Sequence, residues 1–158
     1  MGSTPAENTI LKGKFVDIQA TAVSYKNRAI LIQGSAGIGK TTLALSLIEK
    51  GAVLIGDDVV ELFIKNNKLF CKSKEILKGV VELKGLGLVG GFKVSKPVPV
   101  LCIICLQKKK SERLPKPKSI SILNKKIPVF NFYACNLSEI SVLYTIKTLT
   151  GQMTLLKE

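Results

Sequence analysis

The 158-residue sequence contains no histidine. That removes the commonest general base and any phosphohistidine relay, so proton transfer falls to carboxylates, lysine or water. No apolar run approaches the roughly 20 residues that a membrane-spanning helix needs. The opening Met1-Gly2-Ser3-Thr4-Pro5-Ala6-Glu7 lacks the apolar region of a secretory signal. It also misses the myristoylation pattern, because Ala6 stands where Ser or Thr is wanted. The expectation is a cytoplasmic chain with no membrane partner. There is no second C-x-x-C to join Cys102-Ile103-Ile104-Cys105, which lies in the strand-like run 98–106. Residues three apart on a strand face opposite sides, so these thiols do not share a zinc ion, and with Cys71 and Cys135 they are expected to be reduced.

Acidic side chains are scarce, 11 against 24 basic ones, for a net charge of +13. Such a balance suits nucleic acid, a membrane surface or an acidic partner. The basic residues are nevertheless spread along the chain, with one concentration at Lys108-Lys109-Lys110, Arg113, Lys116 and Lys118. That run holds Pro115 and Pro117 and no aromatic residue for stacking on bases, so it reads as a solvated loop rather than a nucleic-acid site. As a second use it offers a docking point for an acidic patch on a partner.

The most informative stretch present is Gly34-Ser35-Ala36-Gly37-Ile38-Gly39-Lys40-Thr41, which matches G-x-x-x-x-G-K-[ST] at every fixed position. The apolar Ala29-Ile30-Leu31-Ile32 before it reads as a buried strand, and residues 42–50 after it as a helix closed by Gly51. That strand–loop–helix context is what a phosphate-binding P-loop requires. Glycines let successive N–H groups turn inward and, with the positive end of the helix, cradle phosphate oxygens. The expected nucleotide-binding residues are therefore Gly34 to Thr41 together with Thr42, with Lys40 reaching the β/γ-phosphates and the Thr41 hydroxyl coordinating Mg²⁺. The competing reading is a glycine turn that binds nothing.

Around this motif the pattern is α/β. Residues 15–18 and 20–24 read as short strands and 25–28 as a polar turn, so a hairpin feeds the P-loop strand. Ala52-Val53-Leu54-Ile55 predicts a strand beside the P-loop strand, ending in Gly56-Asp57-Asp58. Two carboxylates at the carboxyl end of such a strand, opposite a phosphate site, can serve as metal partner and base. Residues 59–64 and 69–71 predict a hairpin, and 74–78 one helical turn stopped by Gly79. The glycine-punctuated segment 80–91, carrying Glu82, reads either as close backbone approach to a ligand or as a bulged edge. Strands follow at 98–106, 119–123 and 127–132, then a helix over 138–149 whose apolar face is read as Leu137, Ile140, Leu143, Tyr144 and Ile146, with Gly151 as stop. The expected organisation is a tail over 1–14, one domain over 15–150 and a tail over 151–158.

With these residues in view, the chain resembles the HPr kinase/phosphorylases. The run from Gly34 through Thr41 to Gly56-Asp57-Asp58 looks like that family's core. Val81-Glu82-Leu83-Lys84-Gly85-Leu86-Gly87-Leu88 is similar to its signature, Leu-Glu-(Ile/Val)-Arg-Gly-(Leu/Val)-Gly-Ile, and Glu112-Arg113-Leu114-Pro115 resembles a segment of its short forms. The resemblance implies a P-loop kinase core of the HPr kinase/phosphoenolpyruvate carboxykinase type, a mixed sheet with flanking helices, in the short build without the N-terminal domain. It further implies ATP and Mg²⁺ as cofactors, a serine on HPr or an HPr-like phosphocarrier of the phosphotransferase system as the acceptor, reversal with inorganic phosphate, and assembly as a hexamer. By position it makes Lys40 the phosphate-holding residue, Asp58 the proton acceptor with Asp57 completing the acidic pair, Thr41 and Glu82 the magnesium-associated residues and, with the intervening loops aligned, Arg113 the basic catalytic residue.

Two positions depart from the family pattern. Gln19, in Ile18-Gln19-Ala20-Thr21-Ala22-Val23, stands where members carry a histidine, and Lys84 replaces the signature arginine. Glutamine hydrogen-bonds but takes up no proton, and lysine keeps the charge without the bidentate fork. Three functions follow for test: a working serine kinase, a non-catalytic ATP-binding relative that regulates or binds its carrier, and a small P-loop kinase acting on a metabolite. The Asp57-Asp58 pair and the Glu82 segment argue against the third, which has no need of them.

Overall fold

The computed structural model describes residues 15–74, 76, 78–109, 118–136, 139–154 and 156. Strands β1 (Phe15–Gln19), β2 (Thr21–Tyr25) and β3 (Arg28–Gln33) lead into helix α1 (Lys40–Glu49). Then come β4 (Val53–Gly56), β5 (Val59–Lys65), β6 (Lys68–Ser73), the short β7 (Val81–Leu83) and β8 (Gly87–Val89), and the long β9 (Val98–Gln107). Strands β10 (Lys118–Ile122) and β11 (Lys125–Tyr133), a 3₁₀ turn at Ala134–Asn136 and helix α2 (Glu139–Leu149) close the described chain. Apart from the β7–β8 hairpin, the strands form one mixed nine-stranded sheet in the order β1-β5-β6-β9-β3-β2-β4. Strand β11 pairs in parallel with the far end of β9, and β10 pairs with β11.

The continuous apolar run of β3 is explained by burial on both faces. Ile30 and Ile32 point with Cys102 and Ile104 of β9 toward Leu43 and Leu47 of α1 and Val142 and Ile146 of α2. Ala29 and Leu31 point the other way, where the β1-β5-β6 limb curls over them with Val16, Val60, Leu62 and Cys71. Both helices thus cover one face, and the sheet's own limb covers the other. Each fully buried isoleucine or leucine in this double core contributes about 1.5–3 kcal/mol.

Cys102 belongs to the helix-side core and Cys105 packs against the other, as the strand period requires. All four cysteines are free. Burial pushes the thiols of Cys71 and Cys102 up to about 12, so they stay protonated and act as small apolar side chains.

Two expectations are corrected. Strand β4 does not lie beside β3: β2 intervenes, antiparallel to both. β4 therefore still runs parallel to the P-loop strand and delivers Asp57 to the same end of the sheet. The apolar face of α2 is Val142, Leu143 and Ile146, whereas Ile140 and Tyr144 are 49% and 46% exposed. At about 100° per residue these two point roughly 100° or more away from the centre of the buried stripe. Leu137, residues 75 and 77 of the expected helical turn, and most of the basic run, 110–117 with Arg113, lie outside the described residues.

Candidate functional site

The site begins where β3 stops. Gln33 is the last strand residue, and the loop 34–39 turns the chain into α1 at Lys40. A Cβ on Gly34 would lie 2.8 Å from Ile38 Cγ2 and 3.0 Å from the Leu106 carbonyl oxygen, so no side chain fits there. Gly39 caps the helix at φ 118° and provides no side-chain hydrogen bond to its first turn. The N–H groups that begin α1 therefore lack a side-chain cap at the positive end of the helix, which is the arrangement that receives an anion. Residues 34–41 fit a phosphate chain on backbone geometry as well as on sequence.

Lys40 folds back over this loop, donating to the carbonyls of Gly34 (2.7 Å) and Ser35 (3.3 Å). Its ammonium is thus held at the rim of the cradle. One residue on, the Thr41 hydroxyl donates to Asp57 Oδ1 at 2.9 Å, while the backbone N–H of Glu82 donates to Asp57 Oδ2 at 3.2 Å. Thr21, 1% exposed on β2, donates its hydroxyl to the Asp57 carbonyl at 3.0 Å and fixes the end of β4. Three elements thereby orient one carboxylate beside the first turn of α1. A threonine hydroxyl and a carboxylate next to a phosphate cradle fit a hard cation of the Mg²⁺ type, which takes one or two carboxylates and completes its shell from phosphates and water. No larger cluster of acidic, histidine or cysteine ligands occurs among the described residues, so the donor set suits a cation shared with a nucleotide better than a resident protein-only metal.

Asp58 follows in the turn between β4 and β5, exposed, with its carbonyl accepting from Ala20 N–H at 2.9 Å. Two clefts meet at Lys40, Asp57 and Asp58. One, of about 580 Å³, is walled by Gln19, Gln33, Gly34 and Ser35. The other, of about 1080 Å³, is walled by Thr41, Thr42, Glu82, Lys84 and Leu88. Of the expected residues, Gln19 lies on the first side of one ridge, the Glu82 segment on the second, and Asp58 reaches both, while Arg113 lies outside the described residues.

Sequence reasoning passed over several participants. Gln33 donates to the Gln19 carbonyl at 3.1 Å and ties the β1 end to the P-loop strand. Lys74 Nζ lies 2.8 Å from Asp17 Oδ2, which raises the Lys74 pKa through that hydrogen bond and joins the β6 end to β1 across the site's edge. Lys84 Nζ sits 3.7 Å from where a Cβ on Gly37 would be, placing a second cation against the loop. Thr21 and Gln33 are ordinary strand residues by pattern, and only the pairing of β2 with β4 and of β3 with β2 gives them their neighbours. The glycine-rich segment 80–91 resolves into a separate two-stranded hairpin, β7–β8, with its turn at Lys84–Leu86, which Glu82 N–H and Lys84 bring against Asp57 and the P-loop.

Known proteins resemble this chain in sequence and in fold. A family model described as HPr Serine kinase C-terminal domain matches residues 4–132. The HPr kinase/phosphorylase of Mycoplasmopsis pulmonis is 45% identical over 76 residues, which are 48% of this chain and 25% of that protein. The HPr kinase/phosphorylase of Streptococcus pneumoniae (strain Hungary19A-6) is 37% identical over 90 residues, 56% of this chain and 27% of that protein. The chain spans about a quarter of the length of the curated relatives it matches. The solved structure of the Hpr(Ser) kinase/phosphatase from Coxiella burnetii superposes with a TM-score of 0.71 at 27% identity, covering 86% of this chain and 94% of that one.

Proposed function

The chain belongs to the HPr serine kinase C-terminal domain family, and from that premise we propose that it transfers the γ-phosphoryl group of ATP to a serine on HPr or an HPr-like phosphocarrier. The observation that carries the reading is the convergence of Lys40, the Thr41–Asp57 pair and Asp58 on one ridge between two clefts. A kinase needs its phosphate donor and its acceptor to enter from opposite sides of the transferred group, in line. The cleft at Glu82 and Lys84 takes the nucleotide side in this proposal, and the cleft at Gln19 admits the acceptor serine. The α1 N–H groups and Lys40 offset charge on the phosphoryl oxygens. Asp58 accepts the serine proton, and in the reverse direction returns it to the serine oxygen as inorganic phosphate takes the phosphoryl group. Thr41 and Asp57, with Glu82, hold Mg²⁺, which when bound neutralises phosphate charge. Arg113 is proposed as a further cation at the transferred group, and a hexamer as the assembled form, both on family likeness. The setting proposed is cytoplasmic, with neither membrane nor nucleic acid as partner. Among the described residues, no helix is long and apolar enough to cross a membrane.

The test is incubation with Mg²⁺, γ-labelled ATP and a panel of purified HPr-like carriers, followed by mapping of the labelled residue. Serine labelling supports the reading. ATP binding without transfer to any carrier overturns it in favour of the second one, a non-catalytic ATP-binding relative that regulates or holds its carrier. That second reading rests on Gln19, which lines the proposed acceptor cleft with Asp58 and which the family resemblance sets where a histidine is expected.

Two expected outcomes follow here. Gln19→His adds a titratable group to the acceptor cleft and is expected to raise phosphate-dependent dephosphorylation of the carrier by about a hundredfold or more, within the 10²–10⁴ range of a positioned acid or base. An unchanged reverse rate would remove Gln19 from the account. Thr41→Ser is expected to leave transfer within about threefold of wild type, while Thr41→Val lowers it about tenfold to a hundredfold and raises the Mg²⁺ requirement, because only the first retains the oxygen donor. Magnesium titrations of initial rate separate the two.

A further inference from the structure

The three two-residue hairpin turns of the main sheet share a local pattern that the kinase reading does not use. Lys26-Asn27, Asn66-Asn67 and Leu123-Asn124 all carry positive φ at both central positions, 51–64°, the geometry of type I′ turns. In each, the asparagine is followed at once by a cation: Arg28, Lys68 and Lys125. Each of these cations is the first residue of its strand, and its cross-strand partner closes the turn, Tyr25 with Arg28, Lys65 with Lys68 and Ile122 with Lys125.

The topology gathers the three turns at one place. Arg28 opens β3, and Lys125 and Lys126 open β11, both parallel to β9. The β5–β6 turn is brought in because β6 pairs with the first residues of β9. Together they wall a pit of about 310 Å³ over an apolar floor that includes Leu69 and Ile127. Lys125 donates to Asn67 Oδ1 at 2.8 Å, locking the second turn to the third. Four cations line the pit, and among the described residues no carboxylate does. Six residues of β3, about 20 Å at the rise of a strand, separate Arg28 from Gly34, so this is not an extension of the P-loop.

We propose that this pit binds a small anion of the phosphate class carrying at least two negative charges. Like charges gathered on one surface repel, and an anion received by guanidinium and ammonium donors from three turns relieves that repulsion. The small volume, the apolar side chains of the lining and the lack of an aromatic ring among its described residues suit a small molecule, whereas a nucleic-acid track needs an extended groove with stacking surfaces.

The test is a ¹H–¹⁵N titration of the full chain with sodium pyrophosphate, in which the pit and the P-loop are read separately by their own amides. Saturable shifts at residues 27–28, 67–68 and 124–127 are expected. They should weaken about tenfold or more in Arg28→Gln/Lys125→Gln while the shifts at 34–41 keep their midpoint. Lys68→Gln/Lys126→Gln is the independent second variant, should the first not fold. Shifts confined to 34–41, or pit shifts that grow linearly without saturating, would overturn the proposal. So would a twelve-residue oligothymidine that shifts the pit amides at lower concentration than pyrophosphate does, since that outcome assigns the surface to nucleic acid.

Discussion

Lys40→Met is expected to lower phosphoryl transfer by about 10²–10³, the effect of removing one preorganised charge donor from a transition state. The substitution keeps an unbranched side chain of similar length and removes only the ammonium. In the free protein that ammonium is spent on the Gly34 and Ser35 carbonyls at the mouth of the loop. These carbonyls are at an exposed surface and return to water when the lysine is lost, so the fold has little to lose. The expected signature is therefore a thermal midpoint within a few degrees of wild type, weaker ATP binding by titration calorimetry, and label transfer near background. Lys40→Arg is not expected to rescue. Its planar guanidinium offers donors in a fixed fork, and the loop presents a rim shaped around a single compact cation. Transfer by Lys40→Met within threefold of wild type would remove the P-loop from the chemistry, whatever its geometry.

The P-loop was legible because its information is local. Eight consecutive residues specify a turn that only glycine can make at Gly34, and the strand and helix on either side are announced by apolar pattern. The acidic pair was legible for the same reason, as the end of a short apolar strand. What a linear reading could not supply was neighbourhood. It set β4 beside β3, whereas the chain places β2 between them. The inserted antiparallel strand is what brings Thr21 to the Asp57 carbonyl and turns a free strand end into a fixed carboxylate. The helix α2 was placed correctly and its buried face was not. Its apolar residues spread over more than half of the helix circumference, so the shape of the core it meets sets its orientation, and Val142 goes inward while Ile140 and Tyr144 stay out. The β7–β8 hairpin was the other ambiguity. Its glycines fitted a sheet edge as well as a ligand approach, and only the contact of Asp57 with Glu82 N–H and the position of Lys84 over Gly37 bring it to the site.

Asp58→Asn is expected to separate chemistry from binding. The change is isosteric and leaves the Asp58 backbone carbonyl, which accepts from Ala20 N–H, in place. Asp57, whose carboxylate meets Thr41 and the Glu82 N–H, is likewise undisturbed. An amide still accepts a hydrogen bond from the serine hydroxyl but does not take its proton. Transfer is therefore expected to fall about 10²–10⁴, the contribution of a positioned general base. ATP affinity should stay within about threefold, because a group that acts in the transition state contributes little to ground-state binding. Asp57→Asn is expected to behave differently. It weakens the charge beside the Thr41 hydroxyl, so its loss should appear first as a raised Mg²⁺ requirement and be partly recovered at high Mg²⁺. Adjacent aspartates on one turn thus have opposite diagnostic behaviour: one defect that magnesium relieves and one that it does not. If Asp58→Asn were relieved by magnesium and Asp57→Asn were not, the two roles would have to be exchanged, and with them the cleft through which the serine enters.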